Sequence, residues 1–195
     1  GFVGGPITLY HFAIRNNPIA DNLISLALPT LENILSKNID IQLNHDLDLL
    51  MIFDTEANNL QDEEFNSFCI PFIKTIAEKY PNKIGYFTKN ISNNKFQALK
   101  NIKELKLTVL GTQHNIFAEL PNTKLSLQGN FSNELLTIDD KNDFKSSLDE
   151  YLNLCLDHSP THRSGWIASL DHGVQKITPE ANIHLFIDQI RTKLA

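Results

Sequence analysis

Two neighbouring residues, Asp171 and His172, stand at the end of the apolar run GWIASL (Gly165 to Leu170) and are followed at once by Gly173. Imidazole titrates near neutrality, so a histidine in such a place can exchange a proton or hold an anionic group without help from a metal. Similar polar groups close the other apolar runs. Asp54-Thr55-Glu56 follows LDLLMIF, Thr88-Lys89 follows KIGYF, Thr112-Gln113-His114 follows LKLTVLG, and Asn130 follows KLSLQG. At the front of the chain GFVGGP supplies glycines that let a backbone come close to a ligand, with one aromatic ring beside them. The recurrence is what a pocket for a polar ligand needs: a few convergent polar groups brought together from distant parts of the chain.

Those groups can converge only if the runs between them are strands of one architecture. Leu47 to Asp54, Lys83 to Phe87, Leu105 to Gly111, Lys124 to Gly129 and Gly165 to Leu170 are β-rich and alternate with helical segments or connections, the rhythm of a parallel sheet. One helix is predicted through Phe65, Phe68, Cys69, Phe72, Ile73 and Ile76, and another through Phe144, Leu148, Tyr151, Leu152 and Cys155. A last helix is predicted to begin at Thr178 as its cap, with Pro179 in the first turn, Glu180 at the positive end, and Ile183, Phe186, Ile187, Ile190 and Leu194 along one side. In such α/β arrangements ligands sit where strands end and the loops to the next helix begin. Neither an internal repeat nor a linker interrupts the pattern, so residues 1–195 read as a single domain.

Composition narrows the classes of function. With 42% hydrophobic and 21% charged residues the chain can bury a core, and it reads as a soluble globular protein. Seventeen basic against 23 acidic residues, with no basic stripe, argue against a nucleic-acid partner. The longest apolar runs, such as Leu47 to Phe53, are too short to cross a bilayer, and the opening stretch lacks the basic region of a signal peptide, so a cytoplasmic location and no membrane partner are expected. Cys69 and Cys155 form no CxxC pair and read as small core residues. His11, His45, His158, His162 and His184 lack metal-site spacing, so no metal is expected.

Four stretches carry a resemblance. GFVGGPITLYHF (Gly1 to Phe12), LLMIFDTEAN (Leu49 to Asn58), LSLQGN (Leu125 to Asn130) and SLDHGVQKITPEANI (Ser169 to Ile183) occur in the order and at the spacing of the uroporphyrinogen decarboxylase family, which this chain resembles over almost its whole length. The resemblance implies an α/β fold of the (β/α)8 TIM-barrel type. About 250 residues are typical of a closed barrel, so the expectation here is an incomplete barrel that corresponds to the C-terminal half to two-thirds of the family and lacks its N-terminal βα units. It also implies a reaction: removal of carbon dioxide from the acetate side chains of a tetrapyrrole, uroporphyrinogen III to coproporphyrinogen III, with no cofactor. Protonating a pyrrole ring makes the electron sink, and protonating the remaining methylene gives a methyl group. The family often dimerises, so a homodimer is among the expected forms. The family's pyrrole-binding aspartate and carboxylate-binding arginines belong to a segment expected before Gly1.

Carried over residue by residue, His172 falls on the family's active-site histidine, with hydrogen bonding to a substrate carboxylate and proton transfer as its implied roles. Thr55 falls where the family carries serine or threonine, and Gly1, Phe2 and Gly4 bring backbone and one aromatic face towards the macrocycle. Phe12 stands where the family has a tyrosine; it keeps the ring and loses the hydroxyl. The glycine-rich basic loop of the family is reduced to IRNNPIADN (Ile14 to Asn22), which leaves fewer cations for a polyanionic ligand. Three readings follow. The first is the decarboxylase, and the second is a degenerate relative that binds a ligand or partner without chemistry. The third, a corrinoid-dependent methyltransferase, needs a His-x-Cys zinc set that this sequence lacks.

Overall fold

The computed structural model describes residues 1–15 and 23–194. Contacts group the chain into two compact units, Gly1–Thr108 and Val109–Ala195. The shortened loop singled out above falls mostly outside the described residues, apart from Ile14 and Arg15 at its start.

The first unit is built on β1 (Phe2–Gly4), β2 (Leu50–Phe53), β3 (Ile84–Phe87) and the beginning of β4 (Leu107–Val109). Each neighbouring pair is parallel, in chain order, with Gly4 opposite Phe53, Phe53 opposite Phe87, and Tyr86 opposite Thr108. Parallel neighbours require a crossover, and helices supply it: α1 (Pro6–Ile14), α2 (Ile24–Leu43), α3 (Asp62–Phe68), α4 (Ile70–Lys79) and α5 (Asn93–Lys100). The period of two along β2 decides what each residue meets, because Leu50, Ile52 and then Asp54 are fully buried while Met51 and Phe53 take the other face. Ile7, Ile39, Phe65, Ile73, Ile76 and Phe96 of the same unit are likewise buried.

The second unit holds β5 (Ser126–Phe131) and β6 (Trp166–Leu170), again parallel, with Phe131 opposite Leu170. Its helices are α6 (Ile116–Glu119), α7 (Lys141–Leu156) and α8 (Glu180–Leu194). Phe131, Phe144, Leu148, Leu152 and Phe186 form its core with Leu136. Asn182 fixes the start of α8 by donating to the carbonyls of Leu136 and Ile138 at 2.9 and 2.8 Å, and Lys193 pairs with Asp149 of α7 at 2.7 Å near its end.

Among the described residues six β-then-α units thus follow one another along the chain, the α/β pattern of the barrel type expected from the sequence, against the eight of a closed barrel. Two details differ from expectation. The stripe from Phe65 to Ile76 is not one helix but two, α3 and α4, which meet at Cys69 because Pro71 lacks the N–H that a continuous helix needs at that point. Thr178 does not cap α8: its hydroxyl is buried without a hydrogen-bond partner, and the helix begins at Glu180.

Candidate active site

Strand exits of the first unit are hydrogen-bonded to one another. Gly5 N–H donates to the carbonyl of Phe53 at 2.7 Å, and Asp54 N–H donates to that of Phe87 at 2.8 Å. The centre of the arrangement is the Asp54 carboxylate. It accepts the N–H of Thr8, in the first turn of α1, at 2.7 Å and the hydroxyl of Tyr86 at 3.2 Å. Thr8 in turn accepts the N–H of Glu56 through its hydroxyl at 3.1 Å. Asp54 therefore caps α1 from another strand, satisfying a helix amide that has no partner within the helix. The chain can come this close only because residue 5 is glycine, since a Cβ there would lie 2.2 Å from the Asp54 side chain. Complete burial raises the Asp54 carboxyl to about 6, against the opposing pull of the Thr8 and Tyr86 hydrogen bonds.

Thr55 follows Asp54 and opens a short 3-10 turn, Thr55–Asn59, in which it is half-buried. Gly4 ends β1 opposite Phe53, so Gly4 and Thr55 come together on the same rim. Phe2 lies two residues further back along β1 and is 72% exposed; its ring meets Phe53 edge-on at 6.2 Å, and Phe53 meets Phe87 at 5.8 Å. Gly1 is at the other end of β1, where its amino group donates to Leu49 O at 2.9 Å and its carbonyl accepts Met51 N–H at 2.9 Å. It sets the start of the strand and does not join Gly4 and Thr55 at the rim. Phe12 is on α1, 64% exposed. Tyr10, two residues earlier, offers no replacement for the missing hydroxyl, because its own is taken by Leu23 N–H at 3.2 Å and the residue is buried.

In the second unit His172 follows the end of β6 by two residues and is half-buried. Its Nδ1 accepts the N–H of Gly173 at 2.7 Å, which leaves the proton of the neutral ring on Nε2, as a donor suited to a carboxylate. Asp171 is turned to structural use: its carboxylate accepts Asn133 N–H at 2.8 Å, and the Asn133 amide reaches Gly173 O at 2.8 Å. The loops after β5 and β6 are thereby tied together around the histidine. A groove of about 420 Å³ lies elsewhere in this unit, lined by Thr112, His114, Phe117, Asn130, Tyr151 and His158 among others. Much of its polar lining is already engaged. The Asn130 amide donates to Gly111 O and His114 O, and the Tyr151 hydroxyl lies between Gly129 O and Asn130 N.

Asp54 was visible in the sequence only as part of a polar strand exit. The signal that it is buried is its place in the alternation Leu50, Ile52, Asp54. No three His, Cys, Asp or Glu side chains gather as a metal site among the described residues, and Cys69 and Cys155 are each buried. None of the described helices is long and apolar enough to cross a membrane.

Comparison with known proteins gives one family. Residues 1–193 match the family model described as uroporphyrinogen decarboxylase (URO-D). Similar curated proteins include the uroporphyrinogen decarboxylase of Campylobacter lari, 29% identical over 214 residues, covering 99% of this chain and 59% of that protein. The uroporphyrinogen decarboxylase of a Synechococcus strain is 26% identical over 209 residues, covering 98% of this chain and 58% of its own length. The chain thus spans less than two-thirds of these relatives. Among solved structures a methyltransferase from Methanosarcina mazei matches with a TM-score of 0.69 at 14% identity, covering 100% of this chain and 58% of that one; this likeness shows the fold alone.

Proposed function

The chain belongs to the uroporphyrinogen decarboxylase family, and on that premise we propose that residues 1–195 act as a single domain in the cofactor-free decarboxylation of uroporphyrinogen. One observation carries the reading. The family match runs through residues 1–193, and the two polar residues that the sequence resemblance implies for the site, Thr55 and His172, each fall just past the end of a parallel strand, β2 and β6. That is where α/β folds of this kind gather ligand-binding groups.

In this reading, within the first unit Phe2 and Gly4 receive the flat face of the macrocycle and the hydroxyl of Thr55 donates to a carboxylate; within the second unit the Nε2–H of His172 is a donor to an acetate or propionate carboxylate. His172 has a second task. When the acetate carboxylate leaves as carbon dioxide, the electron pair of the broken C–C bond passes into the protonated pyrrole, and the exocyclic methylene must then take up a proton. His172 can give it as an imidazolium once Nδ1 has taken a proton and let go of Gly173 N–H, and the proton that activated the pyrrole is then returned, so that one proton is consumed for each carbon dioxide released. Gly1 contributes by fixing the start of β1 and with it the position of Phe2. A homodimer is the assembly we propose on the family's precedent.

A second reading has an observation of its own. Phe12 is exposed on α1 with no hydroxyl, and the nearest tyrosine is engaged elsewhere, which favours a relative that binds a tetrapyrrole without turning it over. One assay separates the two. The chain is incubated anaerobically with uroporphyrinogen III, and the oxidised products are resolved by the number of carboxyl groups they retain. The decarboxylase reading expects hepta- to tetracarboxylate products that His172→Ala reduces by about a hundredfold. Binding without such products supports the degenerate relative, and failure to bind any porphyrinogen overturns both.

A further inference from the structure

The turn that carries Thr55 ends against a buried cation. Lys95, on α5, is 4% exposed, and its ammonium points at the last carbonyls of the turn: Ala57 O at 3.3 Å, Asn58 O at 2.9 Å and Leu60 O at 2.7 Å. An ammonium has three N–H donors, and three carbonyls are placed to receive them. The end of a helical turn exposes carbonyls without partners and carries partial negative charge, so a cation is favoured there. The ring of Phe65 lies under the same ammonium, 5.5 Å from its centre. No carboxylate pairs with Lys95 at hydrogen-bond distance among the described residues; the turn itself is what offsets the cost of burying the charge.

The lysine is itself firmly held. Ser92 caps α5 by accepting Lys95 N–H at 3.2 Å, and the Ser92 hydroxyl donates to Asp62 at 2.9 Å. Burial lowers the Lys95 ammonium from its ordinary range, and the neighbouring Asp62 opposes that shift. From Phe65 the packing continues edge-on to Tyr86 at 6.1 Å, and Tyr86 donates to Asp54. The turn Thr55–Asn59 is therefore held at both ends, by the Thr8 hydroxyl, which accepts Glu56 N–H, and by the buried ammonium after it.

We propose that Lys95 is a positioning residue, whose ammonium holds the Thr55–Asn59 turn so that the Thr55 hydroxyl is fixed at the strand exit for a substrate carboxylate. The geometry of the clamp stands by itself; its consequence for the ligand rests on the porphyrinogen reading above. A lysine that merely stabilised the unit would act through packing of α5. This one spends its polar contacts on the carbonyls of a turn thirty-odd residues earlier.

The test is a comparison of Lys95→Met, Thr55→Ala and the double variant in the full chain. Lys95→Met should speed amide exchange at Ala57 to Leu60 by about tenfold or more, with β2 and β3 unchanged, since hydrogen bonds to a charged donor are lost there only. Affinity for uroporphyrin, a stable octacarboxylate probe, should fall by about the same factor in both single variants and no further in the double one. Lys95→Arg should restore much of both. Unchanged exchange at Ala57 to Leu60 overturns the proposal, as does faster exchange throughout the first unit, or losses of affinity that multiply. If the unaltered chain binds no porphyrin, the porphyrinogen reading fails, and the exchange measurement alone still decides the clamp. Should Lys95→Met not fold, Lys95→Arg and Lys95→Gln carry the same readouts, with graded exchange at the turn as the supporting result and no gradation as the overturning one.

Discussion

Asp54 is a carboxyl group held fully out of water. Its folded-state value of about 6 lies above the ordinary 3.8, so the folded chain binds this proton more tightly than the unfolded chain does. The stabilisation that follows is fully present below about pH 4 and is lost as pH rises through about 6, a difference of roughly 3 kcal/mol across the window. Asp54→Asn cannot ionise, yet its amide can still accept from Thr8 N–H and donate to the Tyr86 oxygen. The expected outcome, measured by urea unfolding between pH 4 and 7, is a stability that falls by roughly 3 kcal/mol more in the unaltered chain than in the variant. Parallel profiles would show that burial does not set the titration. Much of this site was legible. Thr55 and His172 stand where the strand ends predicted, and the alternation before Asp54 contained its burial. Lys95 was not legible, because a lysine beside Phe96 reads as a solvated residue in a helix, and only the folded turn shows what receives its charge.

At the scale of elements, β-rich runs between helical segments marked five strands directly, whereas the sixth, β1, was hidden in the glycine-rich opening. The break between α3 and α4 was hidden differently: Phe65, Phe72, Ile73 and Ile76 are buried on both sides of it, so an unbroken stripe hid the interruption that Pro71 alone betrayed. The exit of β5 depends on Gly129, whose φ of +134° favours glycine, and a Cβ there would lie 2.5 Å from the backbone oxygen of Leu110. Neither the strained conformation nor a clash with main chain can be relieved by turning a side chain. Gly129→Ala should therefore destabilise by about 3 kcal/mol or more in urea unfolding. Its carbonyl also receives the indole N–H of Trp166 at 2.7 Å, so the loss should appear as a change in tryptophan fluorescence at lower urea than in the unaltered chain. An unchanged midpoint would mean that Leu110 yields.

Across the whole molecule the balance of charge opposes the proposed ligand. The chain carries a formal net charge of −6, and uroporphyrinogen brings eight carboxylates, so long-range forces repel the two. Affinity must then come from short-range contacts at the strand exits, where Thr55 and the exposed Lys89 after β3 in the first unit and His172 in the second are such groups. Salt separates these contributions. At low ionic strength the repulsion reaches well beyond contact, and by about 0.15 M it is confined to roughly 8 Å, while hydrogen bonds at the site are little changed. Association with uroporphyrin should accordingly quicken several-fold as salt rises from about 0.01 to 0.15 M, as seen by stopped-flow quenching of porphyrin fluorescence. The opposite trend, a steep slowing with salt, would require a cationic cleft that dominates the approach, and would replace a site built on hydroxyl and imidazole donors by one built on fixed positive charge.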